Sequence, residues 1–118
     1  MGKDITATVR ISWLAGIEPD IKEFQVYFSE HYTADSLVPL GEPVPFVPDP
    51  SWPGTPQRVK KEHDVFVPFG EEKTLWYAVK AIDEQGNESE FSNMPNVWID
   101  NVPPSKPQQL MVEIVDVI

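Results

Sequence analysis

The sequence predicts an all-β protein whose single domain is an antiparallel β-sandwich. Apolar and polar residues alternate along several segments, and this two-residue period is typical of half-buried strands. The chain has 118 residues, of which 41% are hydrophobic, so it can bury one core. No segment with the helical period is long enough to predict a helix, and short strands separated by turn residues favour a sandwich.

Composition excludes several classes of function. The chain contains no cysteine, which rules out a disulfide scaffold, a cysteine-ligated zinc site and a cysteine nucleophile. A formal net charge of −10 argues against nucleic-acid binding, which needs a basic surface. No apolar run approaches the ~20 residues of a membrane span, and the N-terminus lacks the pattern of a secretion signal. We expect no cofactor and no metal.

Two strands are predicted near the N-terminus. The first covers residues 5–13, and its apolar residues share one face: Ile5, Ala7, Val9, Ile11 and Trp13. The second covers residues 21–28, with Phe24, Val26 and Phe28 facing inward and Gln25 and Tyr27 facing outward.

The middle of the chain is rich in proline. Seven of the 13 prolines lie between residues 39 and 56, and proline cannot occupy a central strand. We therefore predict an irregular insertion over residues 33–62 with at most short edge strands. Residues 60–64 are polar and predict a boundary, after which residues 65–69 form a third strand. So long a loop is often functional.

The strongest strand pattern covers residues 74–82 and predicts an inward face of Leu75, Tyr77, Val79 and Ala81. A tight turn is expected at residues 83–88, followed by a return strand that contains Phe91 and residues 97–99. Residues 101–107 hold three prolines and predict a stiff linker. Residues 110–118 again alternate as a strand does.

Three of these segments together resemble a fibronectin type III domain, an immunoglobulin-like sandwich. They are the strand that ends at Ile11-Ser12-Trp13, the strand Phe24–Phe28 and the run from Trp76 to Ser89, with its acidic Gly-Asn turn. The resemblance covers residues 5–99. It implies a structural or adhesive module of the kind found in tailed-phage virions and bacterial extracellular proteins.

The sequence departs from the family pattern in three ways. Leu75 stands where the family usually has a tyrosine, the proline insertion is long, and the family's first strand is missing at the N-terminus. A similar strand, preceded by prolines, instead follows residue 103. Three interpretations stay open for it: addition to a neighbouring copy, folding back onto the same sandwich, or the opening of a further domain.

The residues that could carry chemistry have simpler explanations. His31 and His63 are expected to be solvated loop residues, because no nucleophile accompanies them. The acidic pairs Glu71-Glu72 and Asp83-Glu84 are ordinary turn charges. Calcium binding by the turn at residues 83–88 is disfavoured, because the turn lacks regular oxygen-ligand spacing.

Two tryptophans have two interpretations. Trp52 and Trp76 could form a surface for sugars or protein partners, or Trp52 could anchor the insertion with Trp76 packed beneath it. The anchoring interpretation is favoured, because a long loop needs an anchor. Trp13 and Trp98 are predicted to be core residues.

These observations predict a β-sandwich over residues 1–100, a linker at 101–107 and a strand at 108–118. We expect a non-enzymatic structural or adhesion protein, a tail, tail-tip or decoration component of a phage virion, assembled in the host cytoplasm. The alternative is a carbohydrate-binding module of a bacterial surface protein or enzyme. The predicted interaction residues are Trp52, Trp76, Leu110, Val112 and Ile114.

Overall fold

A computed structural model describes residues 2–117 of the chain. It is an all-β structure of antiparallel sheets, as the sequence predicts. The strands are β1 (Ile5–Leu14), β2 (Ile21–Ser29), β3 (Val38–Pro39), β4 (Val44–Pro45), β5 (Arg58–Val67), β6 (Glu72–Asp83) and β7 (Asn96–Asp100). A single 3₁₀ turn lies at Ala34–Ser36. No helix within residues 2–117 has the length and apolar character needed to cross a membrane.

The strands form two sheets of unequal size. Among the described residues, the small sheet contains β1 and β5, while the large sheet has the order β3-β2-β6-β7. The short strand β4 also pairs with β2, on the same side as β3. The two sheets contribute to one core, an arrangement consistent with a β-sandwich.

The small sheet is longer than the sequence predicts. All ten residues of β1 pair with β5, from Ile5 opposite Val67 to Leu14 opposite Arg58. The predicted polar boundary at residues 60–64 is therefore wrong, because those residues lie inside β5. The inward face of β5 alternates through Val59, Lys61, His63, Val65 and Val67. Because Lys61 and His63 are polar residues at inward positions, this alternation cannot be recognised from apolar residues alone.

The core lies between the sheets and follows the predicted inward faces. Val26 of β2 and Val67 of β5 are fully buried, and Leu75, Tyr77 and Val79 of β6 are buried with them. The predicted inward residues of β1 are half-buried and pack against this cluster, Ala7 excepted. Gln25 is not exposed as predicted, because its amide donates to the carbonyl of Gly41 at 3.3 Å under the insertion.

The proline-rich insertion contributes the two short edge strands that the sequence allows. Val38–Pro39 and Val44–Pro45 each pair with two residues of β2. Each short strand contains a proline, which has no N–H to donate to a further strand. This edge of the large sheet is consequently protected against pairing with other chains.

The turn after β6 agrees with the sequence, but the return strand is shorter than predicted. Gly86 has a φ of +87°, as a tight turn of this kind needs. Phe91 lies outside β7, which begins only at Asn96. Between them the chain follows β6 through isolated hydrogen bonds, such as that from the Ser92 N–H to the Val79 carbonyl at 3.0 Å.

The C-terminal segment does not form the predicted strand within this chain. Residues 102–117 contain no strand and are all exposed. The molecule is 82 Å in its longest dimension and 32 Å in the next, because the segment extends away from the sheets. Folding back onto the same sandwich is therefore not the observed arrangement. Ile118 lies outside the described residues.

Candidate interaction surfaces

The small sheet has two exposed edges of ten residues each, the outer edge of β1 and the outer edge of β5. Within the part of the chain that the structure describes, β1 pairs only with β5, so its other side has no neighbouring strand. Residues 5–14 contain no proline, and the pairing with β5 shows no bulge. An unprotected edge of ten residues presents a row of backbone donors and acceptors to which another strand can add.

A trough runs between this edge and the large sheet. It consists of three hollows of about 270, 70 and 210 Å³ that share lining residues and so form one continuous depression. We call it the edge trough. Its β1 wall is formed by Val9, Ile11 and Trp13, and its opposite wall by Tyr77, Val79, Pro95 and Val97. Polar residues such as Ser12, Ser92 and Asn96 also line the trough, so its walls are apolar only in part.

One polar atom of the trough has no partner. The indole N–H of Trp13 is buried and has no hydrogen-bond acceptor among residues 2–117. An unpaired buried donor costs about 1–3 kcal/mol. The ring itself packs edge-on against Phe24 with centroids 5.5 Å apart, which holds the indole in this position. Trp13 is thus half-buried, close to its predicted role as a core residue.

The C-terminal segment carries the most exposed apolar side chains of the protein. Six residues are 82–90% exposed: Leu110, Met111, Val112, Ile114, Val115 and Val117. The predicted interaction residues Leu110, Val112 and Ile114 share one side of an extended strand, because they are spaced by two. The structure places none of them against the sandwich.

Trp52 anchors the insertion, as the favoured interpretation predicts. Its indole N–H donates to the carbonyl of Gly16 at 3.2 Å, and its ring packs edge-on against Phe46 with centroids 5.0 Å apart. Phe46 in turn packs against Phe24 of the core at 5.8 Å. Trp52 therefore faces the interior.

Trp76 does not pack beneath Trp52. It lies on the outer face of the large sheet, where it stacks against Tyr32 with centroids 5.9 Å apart and planes 11° apart. The part of the favoured interpretation that packs Trp76 beneath Trp52 is therefore wrong, and the two rings contact different partners.

The outer face holds two aromatic residues that the sequence analysis missed. Trp98 is 61% exposed and Tyr32 is 68% exposed, so the core assignment of Trp98 is wrong. Trp98 pairs with Thr74, and Val97 with the buried Leu75, so Trp98 faces outward with Trp76. The inward alternation of Val97 and Ile99 could have identified this. We call Tyr32, Trp76 and Trp98 the aromatic face.

His63 is not the solvated loop residue that the sequence predicts. It lies in β5, and its Nδ1 is 2.9 Å from the hydroxyl of Tyr77, which joins the two sheets. Burial lowers the pKa of His63, an effect that the nearby charge of Asp64 partly offsets. Burial also raises the pKa of the Tyr77 hydroxyl to about 12. The hydrogen bond is partly buried and links the two sheets beside the core, while His31 is exposed as predicted.

The acidic turn at residues 83–88 uses its first carboxylate to hold its own backbone. Asp83 accepts hydrogen bonds from the N–H groups of Gln85 and Asn87 at 2.9 and 2.8 Å, and from the Asn87 side-chain amide at 3.0 Å. The side-chain bond from Asn87 is the main cause of a lowered pKa at Asp83. Both carboxylate oxygens are therefore engaged in the turn.

Two further findings bear on function. Among the described residues 2–117, no three histidine or carboxylate side chains converge as ligands of a metal would. Comparison of the chain with protein-family models, curated proteins and solved structures found no match.

The anchoring role of Trp52 predicts a stability effect. Trp52→Ala should lower the free energy of unfolding by about 2–3 kcal/mol, because it removes a partly buried ring and its hydrogen bond. Trp98→Ala is the matched control and should change stability by less than about 0.5 kcal/mol, because that ring is exposed. Chemical denaturation of both variants measures the difference. Equal effects would contradict the anchor.

The burial of His63 predicts a pH dependence of stability. A histidine whose pKa is lower in the folded state than its ordinary 6.5 binds more protons when unfolded. Stability should therefore be greatest above pH 6.5 and fall as the pH drops toward the lowered pKa. His63→Gln should flatten this decline in thermal melts, whereas His31→Gln should keep it. A decline that persists unchanged in His63→Gln would contradict this role.

Proposed function

We propose that this protein is a non-enzymatic structural module that assembles through its C-terminal segment. The observation that carries the proposal is the exposure of six apolar side chains within eight residues of an extended segment. Burial of apolar surface is favourable by about 25 cal/mol per Å², so burial of this segment against a protein surface would release substantial free energy. An assembly contact supplies that covering.

The topology supports a more specific identity, a fibronectin type III-like sandwich. In immunoglobulin-like sandwiches the second and fifth strands share one sheet, and the third, sixth and seventh share the other. If β1 is counted as the second strand, then β1 and β5 share the small sheet, and β2, β6 and β7 share the large one. The position of the family's first strand is then the outer edge of β1.

The biological setting that we propose is a tailed-phage virion, as a tail, tail-tip or decoration component. A chain without cysteine that assembles through an apolar strand fits a particle built in the host cytoplasm. A bacterial cell surface is the alternative setting.

A second candidate function is carbohydrate binding, and the aromatic face favours it. Tyr32 and Trp76 stack in nearly parallel planes beside Trp98 on one side of the large sheet. Exposed aromatic rings offer apolar faces that can pack against sugar rings. The rings that would bind are thus Trp76, Trp98 and Tyr32, without Trp52.

Removal of the C-terminal segment tests the assembly proposal. The intact chain should show a molar mass that rises with concentration in light scattering. Deletion of residues 108–118 should leave a monomer at every concentration, because the apolar segment is gone. The melting temperature of the dilute protein should not change, because residues 102–117 do not contribute to the core. An intact chain that stays monomeric throughout would contradict the proposed function.

A glycan array tests the second candidate. If sugar binding is the function, the intact chain should bind defined glycans, and Trp98→Ala should lower the affinity at least ~10-fold through loss of a stacking ring. Phe66→Ala, at an exposed aromatic residue of the small sheet, is the matched control and should bind normally. The absence of binding to every glycan, or equal binding by both variants, would exclude the aromatic face as a sugar site.

A further inference from the structure

We propose that the C-terminal segment of one copy adds to the outer edge of β1 in a second copy, as an antiparallel third strand of the small sheet. This inference rests on the proposed function and specifies the partner, the surface and the register. Three independent features support it: the open edge, the match between two alternating faces, and the length of the linker.

The small sheet is the part of the molecule that most needs another strand. A pair of strands alone is marginally stable, and three strands with an apolar face are the usual minimum. The β2 side of the large sheet is closed by short strands that contain prolines, whereas the outer edges of β1 and β5 have no such protection. The edge trough distinguishes the β1 edge, because it lies beside that strand. The edge trough beneath β1 leaves space for the side chains of one more strand.

The alternating residues of the segment match those of β1. In an antiparallel register with Glu113 opposite Arg10, the apolar residues Leu110, Val112 and Ile114 face the trough. They then lie opposite Trp13, Ile11 and Val9 of β1, respectively. Asp116 falls opposite Ala7, which does not line the trough.

Charge selects this register from the registers that are shifted by two residues. Arg10 is the only charged residue on the outward face of β1, where it lies 3.8 Å from Glu62 of β5. The addition of the segment places Glu113 on the other side of Arg10. Opposite charges on neighbouring strands stabilise pairing by roughly 0.2–1 kcal/mol. A shift by two residues would place Glu113 opposite Thr8 or Ser12 instead.

The linker favours addition to a second copy over folding back. Asn101 donates from its side chain to the carbonyls of Lys3 and Val67, both at 3.0 Å, so the linker leaves the sandwich where β1 begins. To place Leu110 opposite Trp13 of the same chain, the linker would have to run along β1 for ten residues, about 33 Å. The nine Cα-to-Cα steps from Asn101 to Leu110 span about 30 Å at about 3.3 Å per step, so folding back would need a fully extended linker with no slack, and three of its residues are stiff prolines.

The contact joins two different surfaces, the C-terminal segment of one copy and the β1 edge of another. Every copy can therefore donate its segment to one neighbour and accept the segment of a second. Interfaces of this kind produce rings when the rotation closes and open chains when it does not. The assembly should therefore grow beyond one pair of copies, unless two copies exchange their segments reciprocally.

Cysteine cross-linking tests the register directly, because the chain has no cysteine of its own. The full-length double variant Arg10→Cys with Glu113→Cys places two thiols on directly opposite residues of neighbouring strands, within disulfide range. Mild oxidation should yield covalent oligomers on a non-reducing gel. In the matched control, Arg10→Cys with Val112→Cys, the two side chains lie on opposite faces of the sheet, so the oligomer yield should fall at least tenfold.

Each outcome decides the inference. Covalent oligomers that form with the double variant at Arg10 and Glu113, but not with the control variant, support the inference. A monomer in which both thiols have been oxidised would show that the disulfide forms within one chain, and that result would overturn the inference. Equal oligomer yields from the two double variants would also overturn it. If the chain associates in light scattering but neither pair cross-links, the segment binds elsewhere, and the inference fails while the proposed function stands.

Two matched substitutions that each introduce a charge give a second measurement that does not depend on oxidation. Ile114→Asp should abolish concentration-dependent association, because it places a carboxylate in the trough. Val115→Asp introduces the same charge at an equally exposed neighbour and should retain association, because it faces solvent. Both residues lie outside the core, so neither substitution should affect folding. Equal loss of association in both variants would contradict the proposal that Ile114 faces the trough and Val115 faces solvent.

Discussion

Burial of the inward face of the two-stranded sheet against β2 and β6 is the constraint on which the rest of the structure depends. Within the described chain, β1 and β5 pair only with each other, so backbone pairing alone cannot stabilise them. Val65 and Val67 of β5 are buried against the large sheet and hold the pair in place. A sheet of two strands also leaves both of its outer edges, along β1 and along β5, without a further strand among residues 2–117.

Polar contacts fix how the two sheets face each other. The partly buried hydrogen bond between His63 and Tyr77 joins β5 to β6 beside the core, where an unpaired polar group would be costly. The side-chain amide of Asn101, directly after β7, donates to the carbonyls of Lys3, just before β1, and of Val67, the last residue of β5. This second contact also sets the point from which the linker and the C-terminal segment leave. The geometry of assembly therefore follows from the packing of the sandwich.

The sequence predicts the strands with a simple two-residue period and misses those with polar residues inside. The faces of β1 and β6 are predicted because their inward residues are almost all apolar. The first half of β5 is missed because Lys61 and His63 face inward. Trp98 is misassigned because aromatic residues favour the core in general, whereas pairing with Thr74 turns it outward. The open edge of β1 requires the strand order, which the sequence does not contain directly.

Hydrogen exchange of the intact chain, at low and at high concentration, tests the central claim most directly. We predict that the backbone amides of residues 110–117 exchange freely in dilute solution and become protected at high concentration. Amides along the outer edge of β1 should gain protection over the same concentration range, because the two segments pair. A segment that stays unprotected at high concentration, or that gains protection while β1 does not, would contradict the account.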